Sequence, residues 1–248
     1  MMNLLKFEWR KLRQSKALYI VYGLGLVTIT LMMLLSKIMG AKADNATAMM
    51  TSAIGGSSMI SLTGIYLALF ACGDYSQHTI KNIYARGYSR TAVYFSKYLV
   101  SLLVVFAAAI MYMVYTFLLA VIFGNHVQNI SAFQWGSFAL QFLWLIGIHG
   151  LYFGLSTMVE KTGIAVALNL FGITLVFSLL DLLINLIFVK VDNFNFNITD
   201  YQLEYVLMPL ISGQALTKAE LIRALVIPLS YAVVFVGGGW LVSQRRDV

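Results

Sequence analysis

The stretch GDYSQHTIKNIYARGYSRTAVYFSK, residues 73–97, lies between two long apolar runs and decides how the chain is read. It sets Lys81, Arg86, Arg90 and Lys97 against one acid, Asp74. If the flanking runs cross a bilayer, this is a basic loop, and basic loops are retained in the cytoplasm. Ile80, Ile83, Tyr84 and Gly87 recur at helical spacing, with Lys81, Asn82, Arg86 and Arg90 elsewhere around the turn. The pattern predicts a surface helix over 73–91, its first N–H groups capped by a side-chain oxygen of Asp74 or Ser76.

Composition supports the bilayer. Hydrophobic residues make up 60% of the chain and charged residues 11%, where a soluble domain carries roughly a quarter charged. The formal charge of +7 would suggest nucleic acid in a soluble protein, but its distribution between loops explains it here. Cys72 is the single cysteine, so neither an intrachain disulfide nor a cysteine-based metal site can form.

Working outward, the apolar runs define six expected spans, at 17–35, 54–72, 92–123, 133–158, 164–189 and 221–242, each long enough to cross. The first exceeds the apolar core of a signal peptide, despite the cleavage-like Ala41-Lys42-Ala43, and is read as retained. Residues 1–16 form an expected amphipathic interfacial helix. Leu4, Leu5, Trp9 and Leu12 make one face, interrupted by Glu8, with Lys6, Arg10 and Arg13 opposite. Lys37 to Ser52 reads as a polar loop. Gly55, Gly56, Ser57, Ser58 and Gly64 open the second span with small residues suited to close helix approach. The segment 190–220 is the least apolar, with a short apolar run interrupted by Pro209 and Gly213. Too short to cross, it reads as a re-entrant or interfacial segment before the last span. The fold class expected is therefore an all-α polytopic membrane protein, with residues 17–248 as a single six-helix transmembrane domain.

Twelve of the seventeen Lys and Arg fall on the side of the N-terminus, the Gly73 loop, the Glu160 turn and the C-terminus. The positive-inside rule then places both termini in the cytoplasm.

The string Asp74, Thr79-Ile80-Lys81-Asn82, Arg86-Gly87-Tyr88-Ser89-Arg90 and Ser96-Lys97 resembles the cytoplasmic loop of bacterial ABC-2-type transporter permeases. That loop has an acid followed by Gly-Thr, a short helix, Gly-x-Ser-Arg and a Ser-Lys opening the third span. Here His78 stands before Thr79 and the acid is aspartate. The basic amphipathic start, six spans and re-entrant segment match the family layout as well. The resemblance implies a permease subunit of an exporter in the bacterial plasma membrane. It would pair with a second, identical or homologous permease and dock on two copies of a cytoplasmic ABC ATPase. Asp74, Thr79, Lys81, Asn82, Arg86 and Arg90 would then couple to the ATPase, and Gly87 would turn the chain back toward the membrane. Lipid binding and topology alone would also account for the loop's charges. The implied substrate is amphipathic: an antimicrobial or toxin-like peptide, a peptide antibiotic or a lipid-like drug, exported or excluded as immunity.

The sequence has no Gly-x-x-x-x-Gly-Lys-Ser/Thr phosphate loop. No cofactor is expected on this chain, and no enzymatic activity. ATP and Mg would be bound by the partner ATPase. Inside the spans, Asp181 and Asn185 share a face of the fifth, which also carries Asn169, and His149 sits between Gly147 and Gly150. These four are the translocation-path candidates, because an intramembrane ionisable group is a functional hypothesis by default. For each, a structural hydrogen bond is the competing explanation. A rival class of function, an ion-coupled secondary transporter, would move protons through Asp181 and His149. A membrane-embedded enzyme ranks last, because the paired intramembrane carboxylates or His clusters that metal-dependent hydrolysis needs are missing from the sequence.

Overall fold

The computed structural model describes residues 2–40, 45–76, 80–127, 132–188, 201–211 and 216–245. Every named element among them is a helix. Five helices are long and apolar enough to cross a membrane: Lys16–Ile38, Met59–Ser76, Arg90–Ile122, Trp135–Met158 and Lys218–Arg245. The chain is an all-α polytopic membrane protein.

Helix α1 (Met2–Gln14) is followed after Ser15 by α2 (Lys16–Ile38). Then α3 (Ala46–Ser52) forms inside what reads from the sequence as a polar loop. Asn45 makes that helix possible: its side chain accepts from the Thr47 N–H at 3.0 Å and caps the N-terminus.

The second span begins later and ends later than its apolar run. It comprises α4 (Ser57–Leu67), a π-helical turn Ala68–Cys72, and α5 (Gly73–Ser76). The expected helix over 73–91 is described in two stretches and stops short of its expected end, with the chain turning at Gly87. Gly73–Ser76 continues the span, residues 77–79 lie outside the described residues, and α6 (Ile80–Ala85) is a six-residue helix. Asp74 lies within α5, and its carboxylate is engaged elsewhere instead of capping α6.

The third span, α7 (Arg90–Ile122), is a single helix of 33 residues whose N-cap is Ser89. After α8 (Ala132–Met158), the fifth apolar run is helical in three consecutive pieces: α9 (Thr162–Ala167), a π-helical turn Leu168–Gly172, and α10 (Ile173–Phe188). Two elements follow: α11 (Leu203–Ile211) and α12 (Lys218–Arg245).

The packing centre is α8, which meets α4, α7, α11 and α12. Its closest partner is α12, for a steric reason. Gly147, Gly150 and Gly154 form a stripe against Pro228, Ala232 and Phe235, and a Cβ at Gly154 would stand 2.2 Å from the Phe235 carbonyl oxygen. Backbones approach this closely only where side chains are absent. The small residues of the second span act likewise at Gly64, whose Cβ would lie 3.2 Å from Asn169. By contrast α2 is peripheral, burying only Val21, Tyr22 and Gly25.

At the end of the bundle where α8 and α12 begin, α11 packs antiparallel to α8. Trp144 Nε1 donates to the Leu203 carbonyl at 2.7 Å, while Ser137 Oγ and Gln141 Nε2 donate to that of Leu210 at 2.5 and 3.3 Å. Leu203, Val206, Leu207 and Leu210 are buried. Pro209 sits within this helix rather than breaking it, because packing on α8 holds both of its ends. Gly213 lies outside the described residues.

Candidate functional site

The chemistry of the chain is concentrated at the opposite end of the bundle. In α1, Leu4, Glu8 and Leu12 recur every fourth residue, so they share one face, and all three are buried. The sequence marks Glu8 as an interruption of an apolar face; in the structure it is the middle of the inward face. Trp9 faces outward and is 45% exposed.

Glu8 is tolerated there because α7 brings Lys97 to it. Lys97 Nζ lies 3.8 Å from Glu8 Oε1, pairs with Asp74 Oδ2, and sits 5.2 Å from the centroid of the Phe70 ring. Asp74 Oδ1 pairs in turn with Lys11 of α1. Two acids and two lysines from α1, α5 and α7 therefore neutralise one another, with Glu8, Asp74 and Lys97 buried and Lys11 reaching the surface. Ions removed from water require such partners. Burial, together with Lys97 nearby, holds the Lys11 ammonium below the usual lysine range.

Beside this cluster stands α6, with Ile80 and Ile83 buried and Lys81, Asn82 and Arg86 exposed. Leu4, Ile83 and Val93 form a small apolar contact joining α1, α6 and α7. Three residues of the motif Gly87-Tyr88-Ser89-Arg90 have structural roles, two local and one reaching α12. Gly87 takes φ +82°, and its N–H returns to the Tyr84 carbonyl at 2.9 Å, which ends α6. Ser89 Oγ then accepts from the Ala92 N–H at 3.3 Å and starts α7. Arg90 donates from Nη1 to the Gln244 carbonyl at 2.6 Å, at the C-terminal end of α12 where a cation is favoured. Both ends of the described chain thus lie at this end of the bundle.

The residues expected to couple to an ATPase consequently separate into groups. Lys81, Asn82, Arg86 and Gly87 are at the surface, Arg90 is half-buried against α12, and Asp74 is 3% exposed behind them. Thr79 lies outside the described residues. Sequence reasoning missed Glu8 and Lys11 as partners of this site. The available signal was an acid on an otherwise apolar helix face, which requires a cation from another element.

The translocation-path candidates also separate. Asn169 is in the π-helical turn after α9, 2% exposed, and donates from Nδ2 to the Gly64 carbonyl and to Ser156 Oγ, both at 2.9 Å. It lines a cavity of about 60 Å³ with Ser61, Tyr152, Gln202, Glu204 and Tyr231. His149 is outside this lining. Its Nε2 lies 2.9 Å from Ser101 Oγ, and its ring stacks on Phe153 with centroids 5.8 Å apart. It joins α8 to α7. Asp181 and Asn185 lie on α10, and their side chains are outside the described residues. Among the described residues no group of three His, Cys, Asp or Glu is placed to hold a metal ion.

A family model described as ABC-2 family transporter protein matches residues 4–189. The match takes in α1 through α10, including the charge cluster and α6, and ends before α11 and α12. No curated protein matches the chain significantly.

Proposed function

The chain belongs to the ABC-2 transporter family, and from that premise we propose that it is the six-span transmembrane subunit of an ATP-driven exporter. The five long apolar helices would be joined by Thr162–Phe188 as the remaining span, with α11 re-entrant from the outer side. Both termini would be cytoplasmic in a bacterial plasma membrane, consistent with the cations gathered at their end of the bundle. Two ATPase copies, which bind ATP and Mg, would serve a pair of permeases, identical or homologous.

The observation that carries the coupling role is the surface of α6. Its two buried isoleucines anchor it to the bundle while Lys81, Asn82 and Arg86 face outward. An ATPase gripping that face would move α6 against α1 and α7 through the Leu4–Ile83–Val93 contact. The adjacent Glu8–Lys97–Asp74–Lys11 cluster would make those helices move together. Asp74 is therefore a positioning residue, and Thr79 would extend the docking face. The cavity at Asn169, between α4, α8, α11 and α12, would belong to the translocation path with Asp181 and Asn185 nearer its outer end. The amphipathic substrate, an antimicrobial or toxin-like peptide, a peptide antibiotic or a lipid-like drug, is proposed from the likeness to small ABC-2 exporters. Membership in an ATPase-coupled family favours this reading over ion coupling through Asp181 and His149.

Co-expression with a candidate phosphate-loop ATPase tests the role. The ATPase should copurify with the wild type, and Lys81→Glu with Arg86→Glu should release it while the permease remains inserted. An ATPase that fails to bind, or binds the double variant as well as wild type, sinks the docking assignment.

A further inference from the structure

At Ser15 the backbone leaves the helical region (φ −74°, ψ 109°), so α1 and α2 meet at an elbow. Tyr19 fixes it by donating its hydroxyl to the Arg13 carbonyl at 3.0 Å. Against α7 the elbow encloses an apolar slot of about 390 Å³, within the roughly 300–1,000 Å³ typical of ligand sites. Leu12, Leu18, Tyr22 and Leu26 face Val104 and Met111 across it. The slot persists because its walls include Gly23 and Ala107. A Cβ at Gly23 would meet nothing within 4 Å.

One end of the slot is formed by Trp9 and Arg13. Those residues also line a second cavity, of about 520 Å³, together with Lys6, Arg10 and Gln14. Neither lining contains a carboxylate. The acids of this region, Glu8 and Asp74, are buried in the cluster with Lys97 and Lys11. An apolar slot thus opens, past an indole suited to headgroup depth, onto three cations without an acid among the lining residues. Charge and apolarity together fit one kind of occupant.

We propose that this elbow binds an anionic phospholipid. One acyl chain lies in the slot between α1, α2 and α7, and the phosphate meets Arg13, with Lys6 and Arg10 beside it. The site is independent of the ATPase-docking face on α6, so it stands whether or not a partner ATPase is found. A bound lipid fastens α1 to the bilayer at the point where α1 joins the buried charge cluster.

Native mass spectrometry of the detergent-purified chain tests the site, titrating palmitoyl-oleoyl phosphatidylglycerol against phosphatidylcholine of the same acyl chains. The wild type should retain the anionic lipid preferentially, and Arg13→Gln should weaken that retention about fivefold, the contribution of one cation near an anionic headgroup. Gly23→Leu should fill the slot and remove retention while helical circular dichroism is unchanged. Ala107→Phe fills it from α7 and serves if Gly23→Leu does not insert. Equal retention of the two lipids by the wild type overturns the proposal. So does anionic-lipid retention that survives both slot-filling and Arg13→Gln. A dimer that Gly23→Leu abolishes also overturns it, by assigning the slot to a second copy of the chain.

Discussion

Lys97 and Asp74, twenty-three residues apart, are ion-paired inside the protein with side chains only 2% and 4% exposed. The pair joins the end of the second span to the first turns of the third, and Lys11 and Glu8 extend it to α1. Three elements that meet the candidate docking helix are therefore fastened by charge at one point. Replacing one member strands the others. Asp74→Asn should cost about 3–5 kcal/mol, the usual penalty for breaking a buried pair, read as a lower thermal midpoint in detergent. Adding Lys97→Met together with Glu8→Gln, so that no buried charge is left without a partner, should recover part of the loss. A midpoint unchanged by Asp74→Asn would mean that the cluster does not stabilise the bundle.

Gly87 closes α6 in the left-handed region. Gly87→Ala should cost about 1–2 kcal/mol for that backbone conformation, while Gly87→Asn should be milder. The effect should be local, since nothing lies within 4 Å of a Cβ there. Faster protease cleavage within 80–90, with little change in global melting, is the expected readout. A shift of the whole unfolding transition would contradict it.

The α8–α12 contact depends on absent side chains. Gly154→Ala places a methyl 2.2 Å from the Phe235 carbonyl oxygen and should destabilise by at least about 1–3 kcal/mol, as overpacking does. Gly136→Ala on the same helix meets nothing within 4 Å and should melt with the wild type. Equal behaviour of the two variants would refute the packing assignment.

His149 and Ser101 join α8 to α7 through one buried hydrogen bond. A double-mutant cycle with His149→Ala and Ser101→Ala should give a coupling of about 0.6–2 kcal/mol, the range for interhelical bonds in membranes. His149→Gln should leave the pH dependence of substrate transport unchanged. A flattened pH profile in that variant would restore His149 as a proton carrier.

Much of the architecture was legible from composition and run length, because an apolar stretch of about 20 residues has few stable alternatives to a membrane helix. The turn at Gly87 was implied by the family resemblance, whereas the helix expected over 73–91 ran through Ser89, which instead caps α7.

The tertiary structure alone decided what the polar residues on those helices do. The sequence marks Glu8 as a flaw in an apolar face, Asp74 as a cap and docking residue, and Arg90 as part of a docking face. Packing instead sets Glu8 and Asp74 against lysines and Arg90 against the end of α12. The extension of the second span to Ser76 brings Asp74 to Lys11 and Lys97. The α1–α2–α7 slot was equally invisible, because it depends on where the walls of three helices fail to meet. Helix periodicity fixes which residues share a face. Only the packing of distant helices, which places an ion beside its counter-ion or leaves a space unfilled, determines what that face meets.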